Sequence, residues 1–220
     1  MTRQQQAVFG FFIMLGWLLS ACQPFGFGPA AREPVERGGE LLADDFSDPR
    51  SGWDTWENET SSAAYSGEGL LLRVKDANRD YITRAHRSFQ DVDLYVSAVK
   101  LSGTDNNDFG MVCRYQDAEN FYGLLVSSDG YAGIIKVKDG ARSLISGETM
   151  QYSDLIQQGT AGNRLRAVCL GPSLALFVND TIVLVAEDSD FSEGDVGLIA
   201  GVYEEGGVEI FFDDFKALQP

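Results

Sequence analysis

The sequence predicts an all-β domain, an antiparallel two-sheet β-sandwich, and three observations predict it. From Leu41 onward apolar residues recur with period 2, turn chemistry breaks the pattern at short intervals, and no stretch sustains helical periodicity. The chain has 220 residues, 44% of them hydrophobic, with a formal net charge of −16. About 180 residues of patterned sequence suffice for one domain with a real core and are too few for two.

The first 22 residues are of a different kind. Arg3 supplies a short positive region, and Ala7 to Leu19 (AVFGFFIMLGWLL) an apolar stretch too short to span a bilayer comfortably. Leu19-Ser20-Ala21-Cys22 closes it and resembles the lipobox of bacterial lipoproteins. That resemblance implies cleavage before Cys22, acylation of the new N-terminal cysteine, and anchoring to a bacterial membrane through lipid alone, with the domain facing the periplasm or exterior. A signal anchor or a plain secretory peptide is the alternative. Gln23, where an Asp often marks inner-membrane retention, favours an outward location if the cell has two membranes.

Residues 23–40 (QPFGFGPAAREPVERGGE) hold three of the six prolines and four glycines without periodic apolar pattern, and read as an extended tether. The domain is expected over 41–220. Within it Val92, Leu94, Val96 and Ala98 alternate with polar neighbours, as do Leu174, Leu176 and Val178, and again Val208, Ile210 and Phe212. Tyr122–Val126 runs into Ser128-Asp129-Gly130, Ile134–Val137 into Lys138-Asp139-Gly140, and Asn179-Asp180 separates two further apolar runs, so consecutive hairpins are expected. About a dozen strands result, the number of a two-sheet sandwich. Asp154–Gln158 and Asp117–Asn120 offer at most a turn each.

Motif order carries a second resemblance. Ala43-Asp-Asp-Phe46 with Gly52-Trp53 opens the domain; Phe109–Tyr115, Asn120-Phe-Tyr122 and Asp129-Gly-Tyr131 fill its middle; Asn163–Arg166, Phe177–Asn179, Gly194–Leu198 and Phe212–Phe215 follow. The order resembles the concanavalin A-like jelly roll, in the branch of laminin-G-like and family-16-glycosidase-like sandwiches. It implies two antiparallel sheets, one concave, with the first and last strands adjacent. It also implies glycan or cell-envelope binding, or hydrolysis of an extracellular polysaccharide. The Glu-x-Asp-x(x)-Glu strand of family-16 hydrolases does not occur here, and the adjacent acids Glu187-Asp188, Glu204-Glu205 and Asp213-Asp214 point to opposite strand faces. Carboxylates from separate strands remain an open route to catalysis. A structural or protein-interaction domain without a small ligand is the third reading.

The strong negative charge argues against nucleic-acid partners, which need Lys and Arg to neutralise phosphate. His86, the single histidine, sits between basic neighbours in TRAHR, and no Gly-x-Ser-x-Gly, HExxH or CxxC occurs, so nucleophile elbows and zinc sites find no support. Asp44, Asp45, Asp48, Asp213 and Asp214 would converge if the terminal strands pair, and related sandwiches often hold a structural calcium. Asp45 and Asp213 are the candidate ligands; a charged turn protecting a sheet edge is the competing reading. With Cys22 acylated, Cys113 and Cys169 are left as a pair expected to form a disulfide, two buried thiols being the alternative. Sugar binding needs aromatic rings and bidentate polar groups on one face; Trp56, Arg84, Tyr95, Arg114, Tyr122 and Tyr131 are the residues expected to supply it. Cross-strand Tyr/Arg pairs that merely stabilise a solvated sheet are the plain alternative.

Overall fold

The computed structural model describes residues 38–204 and 207–220. Expectations for the leader, for Cys22 and for the tether up to residue 37 lie outside the described residues. All regular structure among the described residues is strand, in chain order β1 (Glu40–Asp44), β2 (Trp56–Glu57), β3 (Ser61–Tyr65), β4 (Leu70–Val74), β5 (Arg79–Phe89), β6 (Val92–Gly103), β7 (Asn107–Asp117) and β8 (Asn120–Val126). The second half holds β9 (Tyr131–Lys138), β10 (Ala141–Leu144), β11 (Gln151–Tyr152), β12 (Asn163–Leu170), β13 (Ser173–Val178), β14 (Thr181–Glu187), β15 (Gly194–Val202) and β16 (Val208–Leu218). Among the described residues no helix is long and apolar enough to cross a membrane.

The strands form two antiparallel sheets. One runs β14-β13-β12-β6-β16-β4-β3-β2, and the other β10-β9-β8-β7-β15-β5 with β11 beside β9. The last strand joins both ends of the domain: the first part of β16 pairs with β4 and its last part with β1, Asp44 facing Phe215. The expected adjacency of first and last strands is met.

The turns follow from residues that tolerate positive φ. Asn179 and Asp180 stand at φ 50° and 69°, and Asp139 and Gly140 at 51° and 76°, the two-residue reversal whose twist matches the flanking strands. Alternation then decides what each strand buries. Leu94 and Val96 of β6, Leu174 and Leu176 of β13 and Phe212 of β16 meet Met111 of β7, Leu124 of β8, Ile134 of β9 and Leu198 of β15 in one core between the sheets. Each such burial contributes about 1.5–3 kcal/mol. Trp53 closes one end of the core, edge-on to Phe46 and Phe215, with its indole N–H donated to Asp44 at 2.9 Å. The Cys113–Cys169 disulfide ties β7 to β12 and so one sheet to the other.

The seven-stranded sheet is apolar on its outer side too. Val112, Phe121, Leu125, Ile135, Val137 and Ile199 form a second buried cluster apart from the core. Cross-strand register explains how they are covered: Val112 and Ile135 both flank Gly123, and Leu125 lies between Gly110 and Gly133. Ile135 and Leu125 lean over Gly123, and Leu144 and Met150 over Gly133. A Cβ added at Gly123 would stand 2.9 Å from Ile135 Cγ1, so that space is already taken.

Candidate functional site

The outer face of the seven-stranded sheet carries a groove of about 930 Å³, near the upper end of the range for small-molecule sites. Its floor includes Ile82, Tyr115, Phe121 and Val137, and Trp56 of β2 forms part of its wall. Two clusters of charged groups border it, one with Asp80 and Arg142 and one with Asp54 and Arg84.

The first cluster is assembled by register. Gly201 of β15 lies opposite Asp80 of β5 on one side and opposite Asp108 of β7 on the other. Having no side chain, Gly201 lets both carboxylates lean over it: a Cβ there would overlap Oδ1 of Asp80 and Oδ1 of Asp108 together. Arg142 of β10 spans the pair, donating from Nη1 to Asp80 Oδ2 at 2.7 Å and from Nη2 to Asp108 Oδ2 at 2.6 Å. The Tyr203 hydroxyl donates to Asp108 Oδ2 and accepts from Arg142 Nη2 at 2.8 Å. The guanidinium also lies 5.6 Å from the Tyr203 ring centroid, within cation–π range. Asp108 Oδ1 is buried and has no hydrogen-bond donor among the described residues. Burial, and then the facing Asp108 carboxylate, push the Asp80 carboxyl up to about 7 against the pull of Arg142. Burial opposes the charge on Arg142, yet Asp108 and Asp80 raise its pKa above the ordinary arginine value. The Tyr203 hydroxyl is raised by burial and then by Asp108.

The second cluster centres on Arg84 of β5. It donates from Nε to Asp54 Oδ2 at 2.9 Å, reaches Asp195 Oδ2 at 3.6 Å, and lies 5.3 Å from the Tyr115 ring centroid. His86 Nε2 bonds Asp54 Oδ1 at 2.8 Å. Burial alone would raise the Asp54 carboxyl, but the His86 and Arg84 hydrogen bonds hold it below its ordinary value. His86 stands at φ 51° within β5.

Of the six residues expected to form a ligand face, the groove brings together Trp56 and Arg84. Tyr95 lies on the other sheet, where Arg166 packs against its ring and that of Phe177 and forms a two-pronged pair with Asp93. Tyr131, at the start of β9, meets the exposed Tyr152 ring at 5.7 Å and does not line the groove.

Arg114 and Tyr122 correct the expectation of surface side chains. Arg114 has φ 52°, where the register between β7 and β8 shifts, and that kink turns its side chain inward. The guanidinium is 2% exposed and donates to the carbonyls of Gln90 at 3.1 Å and Phe191 at 3.0 Å, with Asp91 Oδ1 at 3.4 Å. Tyr122 shares the core face with Leu124, is fully buried, and donates to Asp188 Oδ1 at 2.6 Å. Burial and then Asp188 push its hydroxyl up to about 12.

Pairing of the terminal strands brings Asp213 near Asp45. Burial, and after it Asp214 and Asp45, raise the Asp213 carboxyl, while hydrogen bonds from Ser47 lower that of Asp45. Among the described residues no three His, Cys, Asp or Glu side chains gather in metal-binding geometry. Sequence reasoning missed Asp80, Asp108, Arg142 and Tyr203, which come from four separate segments. The available signal was Gly201 inside a strongly apolar strand, since an interior glycine marks close approach by something else.

No protein-family model matches the chain, and no curated protein matches it. Solved structures do. The carbohydrate binding module CBM66 from Bacillus subtilis superposes with TM-score 0.57 at 22% identity, over 74% of this chain and 93% of that one. A protein of unknown function with a galectin-like fold from Bacillus subtilis gives TM-score 0.62 at 10% identity, over 84% and 97%. The Bacillus licheniformis beta-glucanase gives 0.59 at 7% identity, over 84% and 100%. At such identities the likeness is one of fold, and the fold is the concanavalin-like jelly-roll sandwich.

Proposed function

We propose that this chain is a non-catalytic glycan-binding sandwich, tethered through acylated Cys22 to a bacterial membrane, which holds a saccharide of the cell envelope or its surroundings in the groove of the seven-stranded sheet. One observation carries the reading: a half-buried Trp56 and paired Arg/Asp groups border a single apolar-floored groove. A pyranose offers an apolar face to rings and hydroxyls to Arg and Asp, and both kinds of partner are within its reach there. The carbohydrate binding module and the beta-glucanase named above are compatible company for this assignment.

The hydrolase reading is the weaker one on geometric grounds. A retaining glycosidase sets two carboxyl groups about 5 Å apart on either side of the bond to be cut. Asp80 and Asp108 instead meet each other over Gly201 with Arg142 bonded to both, which leaves no space for a glycosidic oxygen between them.

A glycan array with the protein, followed by calorimetric titration of the strongest ligand, tests the reading. Trp56→Ala is expected to weaken binding at least tenfold, about 1.4 kcal/mol. Binding that is unchanged in this variant, or no binding to any glycan, would refute it.

A further inference from the structure

The Asp80–Asp108 contact poses a problem of charge that the surrounding residues only half solve. Two carboxylates against one guanidinium leave an excess negative charge in a site where the Asp108 side chain has no exposure and that of Asp80 has 17%. Arg142 and Tyr203 both serve the Oδ2 side of the pair. On the other side Asp108 Oδ1 is buried without a donor among the described residues, and it faces Asp80 Oδ1 over Gly201. Among the described residues the titratable and charged groups facing Asp80 are Asp108 from β7, Arg142 from β10 and Tyr203 after β15; Gly201 of β15 adds none. One proton between the two Oδ1 atoms would supply the missing donor and cancel the excess charge in a single step.

We propose that Asp80 and Asp108 share one proton between their Oδ1 atoms, and that this proton makes the Asp80–Arg142 end of the groove a subsite for a neutral, hydroxyl-rich saccharide rather than an acidic one. The ligand half of the proposal rests on the glycan reading above; the proton half does not. In the protonated state the cluster is neutral overall. A sugar hydroxyl then accepts from an unused Arg142 N–H and donates to Asp80 Oδ2, with no net charge covered by the ligand. A uronate would set a third carboxylate against a guanidinium that already serves two. When the shared proton leaves to solvent, the pair carries a full excess charge that a bound sugar would have to seal away from water, and burial of an uncompensated charge is strongly unfavourable. Affinity for the neutral ligand therefore falls with rising pH, by about tenfold per pH unit once the pair ionises. The position of Asp80, pushed up to about 7, places that fall at and above neutrality.

The test has two readouts on the full chain in detergent micelles. The carbon-13 carboxyl shift of Asp80, followed without ligand from pH 4 to 9, is expected to show a titration near pH 7. An Asp80 carboxyl titrating below pH 5 would overturn the proton pair whatever the protein binds. Arrays of neutral and of uronate-containing glycans, read at pH 6 and 8.5, are expected to show neutral glycans bound at pH 6 and at least tenfold weaker at 8.5. Asp80→Asn, whose amide donates permanently to Asp108, is expected to reduce that pH 6 to 8.5 ratio to under twofold, and Asp108→Asn to do the same from the other side. Uronate preference, or a pH ratio unchanged in both variants, would overturn the ligand class while leaving the glycan reading in place. No glycan bound beside an intact titration would overturn the glycan reading and the ligand class with it, and would support the proton pair alone.

Discussion

Replacing both Cys113 and Cys169 by alanine removes the covalent link between the two sheets without introducing polarity into a site where both residues have no exposed surface. The two cysteines are 56 residues apart, and on the chain-entropy model the freed loop lowers the stability of the folded state by about 4 kcal/mol. For a domain of this size that corresponds to a fall in Tm of roughly 8–16 °C, at about 2–4 °C per kcal/mol. Equilibrium urea unfolding of the oxidised protein and the double variant measures the difference, and the slope with denaturant should increase because the unlinked chain exposes more surface. The disulfide lies on the core side of β7 and the groove on its outer side, so the variant is expected to stay folded at 25 °C with the groove intact. A loss under ~1 kcal/mol would refute the reasoning, since the unfolded chain would then already hold β7 near β12.

Arg114→Ala strands the carbonyls of Gln90 and Phe191, and should cost about 2–4 kcal/mol in urea unfolding while leaving glycan affinity unchanged; reduced affinity in a stably folded variant would return Arg114 to the ligand face. The raised Asp80 carboxyl makes stability depend on pH in a definite direction. Between its unfolded pKa near 4 and its folded value of about 7, the unfolded chain gives up a proton that the folded chain keeps, so stability falls as pH rises through this window and levels off above it. The Asp80 contribution is on the order of 4 kcal/mol, and urea unfolding from pH 4 to 8 should show that slope in the native protein and lose it in Asp80→Asn. Gly201→Ala drives a methyl group into both Oδ1 atoms; a loss of roughly 1–3 kcal/mol together with an Asp80 titration displaced toward the ordinary carboxylate range is expected, and an unchanged titration would contradict the contact.

Period 2 and turn chemistry were legible in the amino-acid sequence because both act locally. Alternation in Val92–Ala98 decides which side of β6 is buried whatever lies opposite, and Asn179-Asp180 accepts positive φ wherever it stands. The pairing of Cys113 with Cys169 was legible for a simpler reason, that no other partner remained once Cys22 was set aside. Trp56 and Arg84 were expected as ring and cation on one face and do line one groove; that Tyr95, Arg114, Tyr122 and Tyr131 lie away from it was not legible.

What tertiary structure alone decided is which side chains meet across strands. Simple alternation would send Arg114 to the outer face; a one-residue kink with positive φ turned it inward onto two carbonyls, and a register shift of that kind leaves no reliable mark in composition. Asp80, Asp108, Arg142 and Tyr203 are unremarkable polar residues in four segments up to 123 positions apart in numbering, from 80 to 203. They form one charge cluster only because β5, β15 and β7 are neighbours in a register that puts Gly201 between two aspartates. The strand pattern specifies that a sheet forms and which face it buries, whereas the long-range hydrogen-bond register determines which carboxylates must share a space too small for two charges.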